Sequence, residues 1–409
     1  MYAACCSEGA PTPHGFCFVL SWPFSMNGGV NQVVNNLIQE IRSRRESKWT
    51  PITLELTWTP SHATTTDASP AQVRLHSPVV KNRALRSSVR FVCSLPGSFL
   101  RLRKLVKKCN IGVFNLHFPD LAALNFVLLR DFRLFRGKVI LSFHGSDIRS
   151  AIQESGISNR LWKFLLRRAD AVVACSDGLK AEVLILEPRC KPVTIYNGVN
   201  RAALVEASIV SRRWPGELAG KRVVISVGAF EHRKGHDVLV RAFMKVASCQ
   251  SDVALLLVGK AGPTSEEIRG MACNSPQQSD ICILEDVPHS EIHDLLRRSD
   301  VFVLASRWEK GKLGEGFAMA ILEAAAAGLP VVATASCGVT ELIEDRATGR
   351  VVPLEDEEAL ARAICDVLSD RGDAARMARN LQQRVSTDFT WAKAVDQYLA
   401  LGGESRDSI

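Results

Sequence analysis

The chain has 409 residues, 46% of them hydrophobic and 23% charged, with a formal net charge of +8. At roughly 150 residues per domain this predicts two or three domains, each able to bury a full core, and the ordinary composition excludes a wholly disordered or fibrous chain. No apolar stretch reaches the ~18 residues that a membrane span requires, because charges such as Arg130 and Glu323 interrupt the longest candidates.

In chain order, the opening residues from Met1 to Phe16 lack the basic region of a signal peptide, and the apolar run at 16–20 is too short for its core. Residues 16–21 read as a buried strand, after which the Gly28-Gly29 loop opens a helix over about 30–44. Residues 57–78, rich in Thr, Ser and Pro, read as a surface loop. From Lys81 to Lys108 come nine basic residues (Lys81, Arg83, Arg86, Arg90, Arg101, Arg103, Lys104, Lys107 and Lys108) and no acid. A helix over 98–108 would line up Phe99, Leu102 and Val106 on one stripe, with basic residues around the rest. That pattern suits a helix lying on an anionic membrane surface, and equally a solvated basic face over an ordinary core stripe. Nucleic acid is not expected, since aromatic interleaving is sparse and no binding module is recognisable. The whole first half shares this sign: residues 1–200 carry 26 Lys and Arg against 13 Asp and Glu, the remainder 25 against 30.

Further buried strands are predicted at 111–116, 138–143, 171–174 and 192–196, with helices such as 159–168 between them. In the second half, strands at 222–227, 253–258, 281–284, 300–304 and 330–334 alternate with helical patterns at 235–247, 291–298, 317–327 and 355–368. Such alternation predicts the α/β class, with parallel sheets covered on both faces in two doubly wound, Rossmann-like domains. Asn-Gly and Pro-Gly interruptions place the hinge at about 197–220. Ligands of such sheets sit at the carboxyl ends of the strands, so a cleft between the domains is the expected site.

Twelve cysteines are scattered without metal-ligand or short secreted-module spacing. Most, including Cys17, Cys175 and Cys282, fall in apolar runs and read as reduced, buried thiols, which favours the cytoplasm. Cys5 and Cys6, adjacent near the start, are the exception. His289 and His293 stand four apart, but no Glu follows His289, and an ordinary surface helix explains them better than a metal.

The strongest chemical signal is the run from Glu315 through Gly316, Phe317 and Ala318 to Glu323. Gly311, Gly314 and Gly316 make a flexible loop ahead of a helix whose N-terminal N–H groups would cradle a phosphate. Placed on that helix, Glu315 and Glu323 stand about 12 Å apart along the axis, at 1.5 Å per residue. Glycosidase carboxylates lie about 5–9.5 Å apart, so this spacing instead suits gripping hydroxyls at both ends of one extended ligand. The residues alone leave a second reading open, with Glu315 as a helix-dipole partner and Glu323 as a solvated charge.

Glu315 to Glu323 resembles the E-x7-E motif of retaining glycosyltransferases of family four, which have the GT-B fold. Several segments from about Phe16 to Tyr398 agree with that family in order and spacing: Gly28-Gly29-Val30, the stretch His144-Gly145-Ser146-Asp147, Ala169 to Ser176, Tyr196 to Asn200, Val227-Gly228 with Lys234-Gly235, Asp300 to Ser306, and Phe389-Thr390-Trp391 with Tyr398. The resemblance implies a first domain at 1–200 that binds the acceptor, a second at 201–385 that binds a nucleotide-sugar, and a terminal helix at 386–409 crossing back. It implies catalytic roles for His144, Glu315 and Lys234. Glu323 would accept from the ribose hydroxyls, Glu315 would contact the transferred sugar, and the amides of Gly316, Phe317 and Ala318 would hold the diphosphate. Lys234 would neutralise the departing nucleoside diphosphate. Gly28, Gly29 and Asp147 would line the acceptor side. No cofactor or metal is implied; the nucleotide-sugar is a substrate.

One position departs from the pattern. The family's arginine after the glycine is Ala229 here, and Arg233, Lys310 or Lys312 would have to supply the second cation. The expected function is transfer of a hexose to a saccharide or lipid-linked acceptor in polysaccharide biosynthesis, by a cytoplasmic protein, peripheral on the inner membrane face. Two alternatives remain at this level: a nucleotide-sugar epimerase of the same fold, and a non-catalytic sugar-nucleotide-binding scaffold.

Overall fold

Runs such as Phe16-Cys17-Phe18-Val19-Leu20 and Ala254-Leu255-Leu256-Leu257-Val258 are apolar at every position. Strands of that kind have no polar face to show to water and must be covered on both sides. The computed structural model describes residues 14–26, 28–45, 47–57, 71–78, 84–199, 213–307, 316–336 and 338–403, and among them these runs build two parallel sheets.

The first sheet is formed by β1 (His14–Leu20), β2 (Trp49–Thr57), β3 (Ala71–Arg74), β4 (Ile111–His117), β5 (Lys138–Phe143), β6 (Ala171–Ala174) and β7 (Val193–Thr194), in the spatial order β3-β2-β1-β4-β5-β6-β7. Its helices are α1 (Gly29–Ser43), α2 (Ala84–Cys109), α3 (Leu124–Asp131), α4 (Ser146–Gln153), α5 (Gly156–Arg168) and α6 (Asp177–Leu186). The second sheet contains β8 (Arg222–Val227), β9 (Val253–Gly259), β10 (Ile281–Glu285), β11 (Val301–Leu304), β12 (Val331–Thr334) and β13 (Arg350–Val352), ordered β10-β9-β8-β11-β12-β13. Between and after them run α7 (His236–Cys249), α8 (Ser265–Cys273), α9 (His289–Arg297), α10 (Met319–Ala326), α11 (Glu357–Ser369), α12 (Arg371–Asp388) and α13 (Trp391–Gly403). In each sheet the chain order reverses beside the first strand, which opens a crevice at the carboxyl ends of β1 and β4, and of β8 and β11.

The last helix lies against the first sheet's domain. Tyr398 and Val395 are buried with Phe16, Val34 and Leu37 of β1 and α1, Lys138 Nζ donates to the Leu401 carbonyl at 2.9 Å, and Arg44 of the α1 end pairs with Asp396. Burial of residues of this size contributes about 1.5–3 kcal/mol each.

Three sequence expectations need correction. The 57–78 loop contains β3, whose Val73 is buried while its neighbours are half exposed; a four-residue strand between Pro-rich segments is too short to show its period. The basic helix is longer than 98–108, running from Ala84 with Pro96 inside it. Its core stripe is Phe91, Ser98, Leu102 and Leu105, whereas Phe99 and Val106 pack only partly against the core. The helix expected from Phe317 begins at Met319. Gly316, Phe317 and Ala318 form a turn ahead of it, so helical spacing cannot be extended back to Glu315. Cys5, Cys6, Lys81, Arg83, Lys310, Gly311, Lys312, Gly314 and Glu315 lie outside the described residues, as does part of the expected hinge.

Candidate functional site

Two turns of the second domain form the centre of the site. After β8, residues His232–Lys234 make one turn of 3-10 helix that ends in Gly235 at φ 65°. A Cβ on Gly235 would sit 2.0 Å from the Ala305 carbonyl oxygen, so only glycine lets this turn press on the end of β11. The Lys234 stem lies over Gly228, where a Cβ would come within 3.2 Å of its Cδ. The Val227-Gly228…Lys234-Gly235 pattern is thus a device for holding one ammonium over the ends of β8 and β11.

The second turn, Gly316 to Ala318, faces the first domain. A Cβ on Gly316 would fall 2.0 Å from the His144 carbonyl oxygen and 3.2 Å from the Gly145 Cα. The two domains touch here backbone to backbone, which places His144 beside the start of α10. The Phe317 side chain, 6% exposed, turns into an aromatic group with Tyr196 (ring centroids 5.6 Å apart) and Phe389 (5.9 Å). A second tie is made by Glu341, whose carboxylate accepts the N–H groups of Asp177 (2.8 Å) and Gly178 (2.9 Å) at the start of α6.

Asp147 does not reach across the cleft. Its oxygens accept the backbone N–H groups of His144 (2.9 Å), Gly145 (2.7 Å) and Ile148 (2.9 Å), so its role is to pin the loop that carries His144. Burial raises its pKa to about 6 against the pull of these donors. Two residues on, Arg149 and Glu182 form a buried ion pair at 3.0 Å that joins α4 to α6 and holds the loop from behind. Burial also takes the His144 imidazole down to about 4, so the ring is neutral at physiological pH. Its Nε2 lies 2.9 Å from Nδ1 of His117.

Gly28 and Gly29 are exposed at the start of α1, and a Cβ on either would meet nothing within 4 Å. Packing does not demand glycine there. What fixes the approach to this loop is buried Asn31, which donates to the carbonyls of Pro23 (3.0 Å) and Phe24 (3.1 Å) and accepts from Trp22.

Glu323 is 8% exposed on α10. Its Oε1 is 3.0 Å from Nε2 of His289 at the start of α9, and that contact raises the His289 pKa. The sequence assigned His289 to a plain surface helix; the fold instead brings it to the glutamate. Arg233 also finds an acid, its Nε meeting Glu231 at 2.6 Å. Arg307, three residues beyond the buried end of β11, carries no sequence signal. Its guanidinium grips both oxygens of Asp237 at 2.6 Å and its amide donates to the Arg233 carbonyl at 3.0 Å, bringing a second cation, itself buried, to the Lys234 turn where Ala229 supplies none.

Residues 27–203 match the family "Glycosyltransferase Family 4", and residues 211–384 match "Glycosyl transferases group 1". The chain is 25% identical over 300 residues to the N-acetyl-alpha-D-glucosaminyl L-malate synthase of Bacillus anthracis, covering 73% of this chain and 76% of that one. It is 27% identical over 292 residues to a putative colanic acid biosynthesis glycosyltransferase, WcaL, of Salmonella typhimurium, 70% and 69% of the two chains. Among such bacterial relatives, a Mycobacterium tuberculosis glycogen synthase included, the matched stretch spans 57% to 76% of their length. The structure of Anabaena HepE in complex with UDP and glucose shares the fold, with a TM-score of 0.69 at 18% identity over 95% of this chain and 99% of that one. The two family matches together take in the whole second sheet, every strand of the first except β1, and the turns that carry Lys234 and Gly316, and the chain belongs to the two-domain GT-B glycosyltransferases whose first domain is of family 4 and whose second is of group 1.

Proposed function

We propose that the protein transfers a hexose, with retention of its anomeric configuration, from a nucleoside diphosphate sugar to a saccharide or lipid-linked acceptor. The observation that supports this is the seating of the Gly316 turn on the His144–Gly145 loop, which puts the start of α10 and His144 at one crevice. The diphosphate sits at the amides of Gly316, Phe317 and Ala318 with Lys234 on its departing end, Glu323 takes the ribose, Glu315 the sugar, and His144 the reacting face. The bond from the anomeric carbon to the phosphate oxygen breaks as the acceptor oxygen bonds to the same face, and the acceptor's proton passes to the leaving phosphate. Gly28 and Gly29 leave open backbone for the acceptor. HepE is described with UDP and glucose, which makes a uridine nucleotide the first donor to try. The two relatives are named a synthase and a putative glycosyltransferase, which favours transfer over epimerisation or scaffolding.

A nucleotide-sugar panel with and without acceptor tests this. Nucleoside diphosphate release that rises with acceptor is the expected result; a changed sugar without acceptor points to epimerisation, and binding with neither points to a scaffold. Glu323→Ala should weaken nucleoside diphosphate binding by about tenfold or more, since it removes a charge-assisted hydrogen bond worth roughly 1.5–3 kcal/mol. Unchanged affinity by calorimetry would remove Glu323 from the ribose site.

The acceptor side faces an anionic membrane through α2. Val89 (57% exposed), Val92 (61%) and Leu100 (70%) lie opposite the buried stripe of that helix, among exposed Arg86, Arg103, Lys104 and Lys107. Apolar side chains ringed by cations match an anionic lipid surface in both respects. No helix among the described residues is long and apolar enough to cross a membrane. The double variant Lys104→Gln/Lys107→Gln should bind anionic vesicles about thirtyfold more weakly at low salt, at roughly 1 kcal/mol per charge. Binding to neutral vesicles as strong as to anionic ones, or insensitive to salt, would rule the surface out.

A further inference from the structure

Behind His144 runs a chain of buried polar groups that the transfer reaction as described does not use. Asn115 and His117 alternate on β4 and so share a face, and His117 is in register with Ser142 on β5. Asn115, His117 and Ser142 are each 1% exposed or less, and Tyr398 of α13 is 5% exposed. Polar groups so deeply placed must satisfy one another. Tyr398 donates to Ser142 Oγ (3.3 Å), which donates to Asn115 Oδ1 (2.7 Å). The Asn115 amide nitrogen is 3.0 Å from His117 Nε2. His117 Nδ1 then meets His144 Nε2 at 2.9 Å, the two rings stacked at 24°.

The direction of this chain has a chemical consequence. Among the described residues, Ser142 is the partner to which the Tyr398 phenol gives its proton, so Ser142 passes its own to the Asn115 oxygen. That leaves the amide nitrogen facing His117 Nε2, which must be a bare acceptor, and puts the His117 proton on Nδ1. His144 Nε2 accepts that proton, and the remaining proton of the neutral His144 ring lies on Nδ1. We infer that His117 is a positioning residue that fixes His144 in the Nδ1–H tautomer, through a relay that begins at Tyr398. The N–H that His144 has left to offer is then on Nδ1, and neither ring nitrogen is vacant to take a proton.

The surroundings agree. Asp147 spends its oxygens on backbone N–H groups of the loop, Cys175 approaches only the His144 carbonyl, at 3.9 Å, and Phe18 and Tyr398 flank the His117 ring. Burial lowers the pKa of both histidines, His117 well below its ordinary value. The inference rests on the proposed transfer only for its effect on turnover; the tautomer is a property of the protein alone.

Long-range ¹H–¹⁵N correlation spectra of the ¹⁵N-histidine protein read the tautomer directly. The expected spectrum has His144 as Nδ1–H, unchanged from mildly acidic to mildly basic buffer; a spectrum of the Nε2–H form overturns the inference, because the opposite polarity of the same chain would produce it. Tyr398→Phe, which removes only the first donor, should leave a mixture of both forms. In transfer assays, His117→Ala should lower kcat about tenfold, the value of one lost hydrogen bond, with the donor KM little changed, and His117→Gln should restore most of it by accepting from Asn115 and donating to His144. A His117→Ala protein with wild-type tautomer and wild-type kcat would also overturn the inference. If no donor supports transfer, the spectra still decide it, so its failure and that of the proposed function remain separable.

Discussion

Lys234→Ala is expected to lower kcat by about 100-fold or more while changing donor KM much less. The ammonium is worth most where charge develops, on the phosphate oxygen that departs with the nucleoside, and removing one such preorganised group typically costs ~10²–10³ in turnover. Its position is set by the close contact of Gly235 with Ala305 and by the passage of its stem over Gly228. Lys234→Arg should rescue poorly, because a planar, delocalised guanidinium does not bring to one phosphate oxygen the compact point charge of an ammonium. Steady-state release of nucleoside diphosphate measures both variants. Turnover of the alanine variant within about threefold of wild type would mean that another cation neutralises the leaving group, and Arg307, clamped by Asp237 beside the same turn, would be the next to replace.

Gly316→Ala should be comparably damaging although it adds one methyl group. The new Cβ would lie 2.0 Å from a backbone oxygen of the other domain, and no side-chain rotation relieves a backbone contact. The crevice must widen, and a displacement of about 1 Å at reacting groups can cost ~10²-fold in rate. Each domain keeps its own core, so circular dichroism should be unchanged while transfer falls and small-angle scattering reports a more open molecule. Wild-type transfer by this variant would show that the domains separate at Gly316 during turnover.

The Lys234 stem lies against Gly228, six residues away, whereas Gly316 meets His144, far off in the sequence, and the site divides along that line. Lys234, Gly235, Gly316 and Glu323 stand out in the sequence because each belongs to a local strand–turn–helix pattern, where spacing along the chain sets spacing in the fold. Asp147 stands out for the same reason, but only its hydrogen bonds to three backbone N–H groups show that it serves its own loop. His289 and Arg307 could not be read in advance. The first meets a carboxylate 34 residues away, the second an aspartate 70 residues away, and no periodicity encodes such meetings. The His117 relay was half legible, since Asn115 and His117 are polar residues two apart in an otherwise apolar strand and therefore share a face.

Local sequence dictates the α/β class, the alternation of strands and helices in two halves and the turns at their carboxyl ends, because apolar periodicity and glycine placement act over a few residues. Packing between distant elements decides which of those turns meet across the crevice and that α10 starts only at Met319, and it makes the His117–His144 contact from which the tautomer is inferred. Those outcomes depend on packing between separate elements, where a contact of two or three ångströms is set by the whole domain and by no local run of residues.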